Sequence, residues 1–407
     1  MIGRRRLLKS RVGQKHLPPG GMEGEITLMK RNARSNAVVV GLLAGLAVAG
    51  CRGTPVSSAR PDAEPETVRI GALLPLSGKK APIGMQQKWA FELAQEKLNA
   101  EDGVKVKFVF EDTKNDAKVG EAGARKLIEE QDVAFVFAFP CAIVYKVQPI
   151  VDKGGALLMA CNLDPKTSEA SPRTFRVFPS LRQQAPVMLK HLGKGNKRRA
   201  AIIHLEAPAP NRAIGELVPV LKAEGWQIMA STSYDLKSPD YGAAVAPIEA
   251  AKPDVLFMYV DKGSVPPLLK LIRKSPSLSR TKLVGGVGFA FPFKMPPQML
   301  EGITVVAPTC ALSDRRKLHG SWFGQEFRKR HAKPPHMFAG FCFDGAMLLG
   351  NALREKGTDV ADVQAYFRKV AGYPGVTGSL TLDKSGDAKV SWAVGVYKGG
   401  KLVPVPK

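Results

Sequence analysis

The sequence predicts an α/β protein built as two doubly wound lobes. Short apolar runs recur along most of the chain, amphipathic stretches of helical length separate them, and the pattern restarts once near the middle. Apolar runs without polar alternation suit strands covered on both faces of a parallel sheet. Strand and helix repeating at about 30 residues is the βαβ signature. An antiparallel sandwich is excluded on the same ground.

The first series of strands is VRIGALLPL (68–76), VKVKFVFED (104–112), VAFVFAF (133–139) and GALLMAC (155–161). The second is RAAIIHLE (199–206), WQIMASTSY (226–234), DVLFMYV (254–260), KLVGGVGF (282–289) and ITVVAPT (303–309). Between them, 84–100 places Trp89, Ala90, Leu93, Ala94 and Leu98 on one helical stripe, and 117–131 does the same with Ala124, Leu127 and Ile128. A third helix, 211–225, ends at a glycine stop signal. The restart falls at TFRVFPSLRQQ, 174–184. Near the end, TGSLTLDKSGDA (377–388) and VGVYKGGKLVPV (394–405) read as hairpin strands with glycine-containing turns.

Ahead of the body lies a different kind of segment. The apolar run 37–50 is about 14 residues long, short of the roughly 20 a spanning helix needs. It follows the basic stretch MKRNARSN (29–36) and ends in Val48-Ala49-Gly50-Cys51, as a secretory leader does. Those four residues resemble a bacterial lipobox, which implies cleavage before Cys51, acylation of its thiol and export to the cell envelope. Stable anchoring then takes more than one acyl chain. The Pro/Ser/Glu-rich stretch 52–67 reads as a flexible tether. Because the leader begins at Met29, residues 1–28 read as a mis-assigned start, a long n-region being the alternative.

The net charge is +24, about seven of which lies in residues 1–50, leaving about +17 on the body. The basic residues are scattered, with no long basic block and no zinc-finger spacing, so nucleic acid is not the expected partner. Beyond Cys51 the cysteines are Cys141, Cys161, Cys310 and Cys342, none in CxxC spacing, so no metal site is expected. An even number in an exported protein permits disulfides. Cys141 with Cys161, at the ends of consecutive strands, and Cys310 with Cys342 are the candidate pairs.

From Val68 to Val405 the chain resembles the periplasmic branched-chain amino acid and amide binding proteins of ABC importers. The resemblance rests on four stretches in order. IGALLPLSGKKAPIG is similar to the family's opening strand and ligand loop, and LAQEKLNAEDGVKVKFVFEDTKNDAKVG to its next helix and strand. FCFDGAMLLGNAL (341–353) is similar to its helix with an aromatic-Asp pair, and GVTGSLTLDKSGDA to its final crossover. The resemblance implies the type I periplasmic-binding-protein fold, with a three-crossing hinge. Lobe one would be 66–181 plus 311–373, and lobe two 182–310 plus 374–407. It also implies a small-molecule ligand and delivery to an ABC permease and ATPase complex. A sensor of the same fold, or an envelope protein with a vestigial cleft, is the alternative.

In open α/β sheets ligands sit beyond the carboxyl ends of the strands. The corresponding loops are 77–84, 139–143, 161–165, 206–211, 259–263 and 288–291. Candidate ligand contacts are Ser77, Lys79, Pro140, Cys141, Ala142, Asn162, Leu163, Asn211, Tyr259, Asp261 and Phe289. Family members that hold α-amino acids use Ser/Thr hydroxyls on lobe-one loops for the carboxylate. Here FPCAIV and ACNLDP carry no hydroxyl in the core positions, which leaves backbone N–H groups and Asn162 for a carboxylate; Asp261 is the best candidate for the ammonium, with an apolar Val287 near where an acid is expected. With Phe139, Pro140, Tyr259, Phe289 and Phe291 as walls, an aromatic or apolar carboxylate or amide fits as well as leucine.

No enzyme is expected. A Cys141 nucleophile needs a base, and His191, His204, His319, His331 and His336 show no sequence relation to it. Pro334 and Pro335 break any helical metal pair between His331 and His336. There is no P-loop, and GGVGFAFP lacks the GxGxxG context, so no cofactor is implied.

Overall fold

The computed structural model of the chain describes residues 67–193, 198–312 and 315–406. The leader, Cys51 and the tether through residue 66 lie outside the described residues. The first sheet has the order β2-β1-β3-β4-β5, formed by β1 (Thr67–Leu74), β2 (Lys105–Asp112), β3 (Phe135–Ala138), β4 (Leu157–Ala160) and β5 (Thr174–Arg176). All its neighbours are parallel. Every residue of β3, β4 and β5 is buried, which is why these segments read as unbroken apolar runs.

The second lobe repeats the arrangement with β6 (Arg199–Leu205), β7 (Gln227–Tyr234), β8 (Val255–Tyr259), β9 (Lys282–Gly285) and β10 (Thr304–Pro308), again parallel. A small antiparallel sheet follows, made of β11 (Tyr373–Gly375), β12 (Gly378–Leu382) and β13 (Ala388–Lys389). Then β14 (Trp392–Lys398) joins the second sheet antiparallel to β10, and β15 (Lys401–Pro404) closes its edge. The β14–β15 turn places Gly399 at φ 55° and Gly400 at φ 74°. Both angles lie in the left-handed region, which explains the paired glycines in a tight hairpin.

The first helix spans Ala81–Asn99 and buries Ala90, Phe91, Leu93, Ala94 and Leu98. It starts three residues before the predicted 84, because Pro82 fits the first turn of a helix. Gly84 is required for another reason: a Cβ there would lie 2.0 Å from the Pro75 carbonyl oxygen. The helix therefore packs directly on the loop leaving β1. Among the described residues no helix is long and apolar enough to cross a membrane.

The chain passes between the lobes after β5, after β10 and between β13 and β14. The last passage lies later than the 373/374 boundary read from the sequence. The segment 373–389 stays on the first lobe because that lobe's helix Met337–Lys356 buries Asp344, and Asp344 needs donors. The Val376 and Thr377 N–H groups supply two, at 2.7 and 2.9 Å, and the Thr377 hydroxyl a third at 2.5 Å.

Burial pushes the Asp344 carboxyl up to about 6, the three donors pulling the other way. A carboxyl raised above its ordinary value of about 3.9 holds its proton longer in the folded state. Its contribution is therefore most favourable below about pH 4 and is lost as pH rises through 6. The expected loss is on the order of 3 kcal/mol. Chemical denaturation between pH 4 and 7 should show this slope in the parent protein and a flatter profile in Asp344→Asn.

Candidate ligand-binding cleft

The contacts between the lobes gather at the loops beyond the carboxyl ends of the parallel strands and on the helices beside them. Lys80, after β1, places Nζ 3.3 Å from Asp261 Oδ2, after β8. The other Asp261 oxygen accepts from the Ser264 N–H and hydroxyl, each at 2.8 Å. Asp164, after β4, has its side chain 1% exposed and is ion-paired with Arg212 on the lobe-two helix Pro208–Ala223. Arg212 Nε lies 3.2 Å from Asp164 Oδ1, and its Nη2 lies 3.0 Å from the Tyr145 hydroxyl, which itself donates to Asp164. Nearer the hinge, Arg182 spans Glu169 and Glu216, with 2.7 Å contacts to each.

Burial works against ionisation of Asp164, yet the Arg212 guanidinium and the Tyr145 hydroxyl hold its carboxyl below the ordinary value. Burial also raises Tyr145 well above the usual phenol value. The Cys141 thiol is likewise raised, by burial above all. Its place at the start of the helix Cys141–Lys153 therefore does not give it the thiolate a nucleophile needs.

Aromatic rings form the rest of the junction. In lobe one, Phe178 stacks on Phe338 at 5.0 Å, and Phe139 stands 6.1 Å from Phe178 and 6.2 Å from Phe338. From lobe two, Phe291 meets Phe338 edge-on at 5.8 Å and His336 at 5.1 Å. The Lys262 ammonium lies over the Phe291 ring, 5.4 Å from its centre.

The predicted positions fare unevenly. Asp261 and the loop of Asn162 and Leu163 lie at the junction, with Asn162 buried. Pro140, joined to Phe139 by a cis bond, caps the helix that begins with Cys141 and Ala142. Ser77 and Lys79 are exposed, and the ion pair across the lobes belongs to Lys80. Asn211 is exposed and turns back on its own loop, donating to Glu206 and accepting from the Ala207 N–H at 3.3 Å. Tyr259 is buried at the end of β8. Phe289 is fully buried within lobe two, against Gly285, so Phe291 is the ring of this turn that reaches the first lobe.

Sequence reasoning missed Lys80, Asp164 and Arg212 by one residue each, since all follow a predicted position directly. It missed Tyr145, His336 and Phe338 because they lie outside the six strand-end loops. Their signal was weak: a polar residue on an apolar helix face for Tyr145, and a histidine after Pro-Pro for His336.

The cysteines need correction too. Neither a Cys141–Cys161 nor a Cys310–Cys342 bridge is formed. The end of β4 packs against the helix Met337–Lys356, so the Cys161 and Cys342 sulfurs approach to 3.8 Å, both fully buried. Cys141 instead turns toward the Leu163 backbone.

A sequence model of the periplasmic binding protein family matches residues 67–401, and the chain belongs to this family. Its fold is the type I arrangement seen in solved relatives. The leucine binding protein of Thermotoga maritima superposes with a TM-score of 0.71 at 18% identity, covering 83% of this chain and 98% of that one. A solute binding protein of an ABC transporter from Rhodopseudomonas palustris, solved with 3,4-dihydroxybenzoic acid, gives 0.70 at 19% identity, covering 83% and 96%. Leu/Ile/Val-binding protein homolog 7 of Brucella suis is 25% identical over 206 residues, 47% of this chain and 51% of the relative. The match thus spans about half the length of that relative.

Two outcomes follow from this geometry. Removing the cation in Arg212→Met leaves the buried Asp164 without its counter-charge, which should weaken closure by about 2 kcal/mol, within the range for hydrogen bonds to charged groups. Small-angle scattering should then give a larger radius of gyration than for the parent, with Tyr145→Phe in between. Second, mild oxidation of the folded protein with a small disulfide should join Cys161 to Cys342. Peptide mapping without reduction checks the pairing, and a Cys141–Cys161 peptide would contradict it.

Proposed function

We propose that the protein captures a small apolar or aromatic carboxylate, amide or amino acid between its lobes and delivers it to an ABC permease and ATPase complex. The observation that carries this reading is that the lobes meet through loops at the carboxyl ends of both parallel sheets, where open α/β sheets bind ligands. The aromatic walls there suit a flat or apolar solute, and the few polar groups suit orientation of one charged end. The relatives named for leucine and solved with a dihydroxybenzoic acid support the same range of solutes. Cys51, acylated, would hold this cleft beside the membrane from which the permease takes its cargo. No catalytic step is needed for that task.

A ligand shifts the open and closed populations only by its differential affinity for the closed form. Scattering with a panel of amino acids, amides and aromatic acids should therefore show compaction with at least one. Mass spectrometry of gently purified protein should find a small solute retained. No compaction with any panel member, together with no retained solute, would overturn the capture reading.

A further inference from the structure

We propose that His336 is the specificity-determining residue of the cleft: its Nε2–H receives the oxyanion of the ligand and favours carboxylates that carry no α-ammonium group. This assignment rests on the capture reading above and narrows its ligand class.

His336 opens the helix Met337–Lys356 and accepts the Phe338 N–H on Nδ1 at 3.0 Å. A neutral imidazole that accepts on Nδ1 carries its proton on Nε2. The ring is neutral near pH 7, since burial lowers its titration to about 4, with the Lys262 ammonium acting in the same direction. Nε2 is out of contact with solvent and has no hydrogen-bond partner among the described residues. A buried donor left unsatisfied is costly, so such a group commonly marks a place where something else accepts.

Its surroundings say what. The ring touches both lobes, with Phe338 at 5.3 Å on its own side and Phe291 at 5.1 Å on the other. Its backbone N–H is held by Gln86 Oε1 at 3.1 Å, which ties this turn to the first helix. The Lys262 ammonium sits over the same Phe291 ring. A donor and a cation thus flank one aromatic wall, an arrangement that suits an anionic head joined to an apolar or aromatic body.

The acids of the cleft argue the other half. The six strand-end loops carry three, Asp164, Glu206 and Asp261. Asp164 is taken by Arg212 and Tyr145, Glu206 accepts from Asn211, and Asp261 is shared between Lys80 and Ser264. An α-ammonium entering the cleft would have to compete with a partner already in place, whereas a carboxylate would find Nε2–H unused.

The test is calorimetric titration of the full chain with benzoate, benzamide, L-phenylalanine and L-leucine. The variants are His336→Ser, which keeps a helix-capping acceptor but removes the distal donor, and His336→Gln, whose amide can donate. Thermal unfolding verifies that each variant folds. The parent should bind benzoate more tightly than either amino acid. His336→Ser should weaken benzoate on the order of ten- to a hundredfold and benzamide clearly less, with His336→Gln recovering most of the benzoate affinity. A merely structural role would lower both ligands alike. The assignment is overturned if benzoate binds His336→Ser within twofold of the parent, if both ligands weaken equally, or if the amino acids bind the parent more tightly. If none of the four binds the parent, this assignment and the small-carboxylate part of the capture reading fall together.

Discussion

The guanidinium of Arg176 is fully buried at the last residue of β5, and the geometry of both hinge and cleft depends on how it is satisfied. Its Nε lies 2.7 Å from Asp387 Oδ1, a second nitrogen pairs with the same carboxylate, and a third donates to the Asn162 carbonyl. Its own N–H reaches the Gly386 carbonyl at 2.9 Å. A buried charge without partners is prohibitively costly, so these contacts cannot loosen independently. One side chain thereby ties together the strand that enters the first crossing, the segment that enters the last, and the cleft loop of Asn162 and Asp164. Burial still pushes the Asp387 carboxyl up, with Arg176 pulling against it.

Closure is set by weaker forces. The Lys80–Asp261 pair is partly exposed, with side chains 32% and 19% accessible, and contributes modestly against solvent screening. Arg212 with Asp164 is stronger on one side only, because the acid is buried while the arginine remains in reach of water. The rings of Phe291, Phe338 and His336 add apolar area that disappears from water only when the lobes meet. Such a balance leaves the closed state within reach of a small ligand's binding energy.

The fold was legible because each lobe buries its parallel strands on both faces. That burial erases polar alternation, and VAFVFAF or DVLFMYV then has no other reading in a chain that also carries helices. The glycine pair of the last hairpin and the hinge region near 174–184 were legible for equally local reasons. Contacts distant in sequence were not. Cys161 and Cys342 are 181 positions apart, and only the packing of β4 on a central helix brings them together. Lys80 rather than Lys79 is decided by a fraction of a helical turn. A rule that names loops cannot resolve that. The length of lobe one after residue 373 was hidden because it answers to one buried acid, Asp344, whose need for donors is invisible until its burial is known.

The hinge shows why those near misses matter. Gln183 donates to the Ala388 carbonyl at 2.6 Å and accepts from the Val390 N–H at 3.3 Å and the Trp392 indole at 3.2 Å. The Thr309 N–H donates to the Ser391 carbonyl at 2.9 Å. The three crossings are therefore stitched to one another where they run side by side, and they bend as a unit rather than as three separate tethers. A hinge so joined restricts the lobes to a narrow family of approaches. Only under that restriction can a one-residue choice in each facing loop be met reliably by its partner, Lys80 by Asp261 and Asp164 by Arg212. Specificity in the cleft is thus inherited from hydrogen bonds in the crossings, well away from the surfaces that meet a ligand.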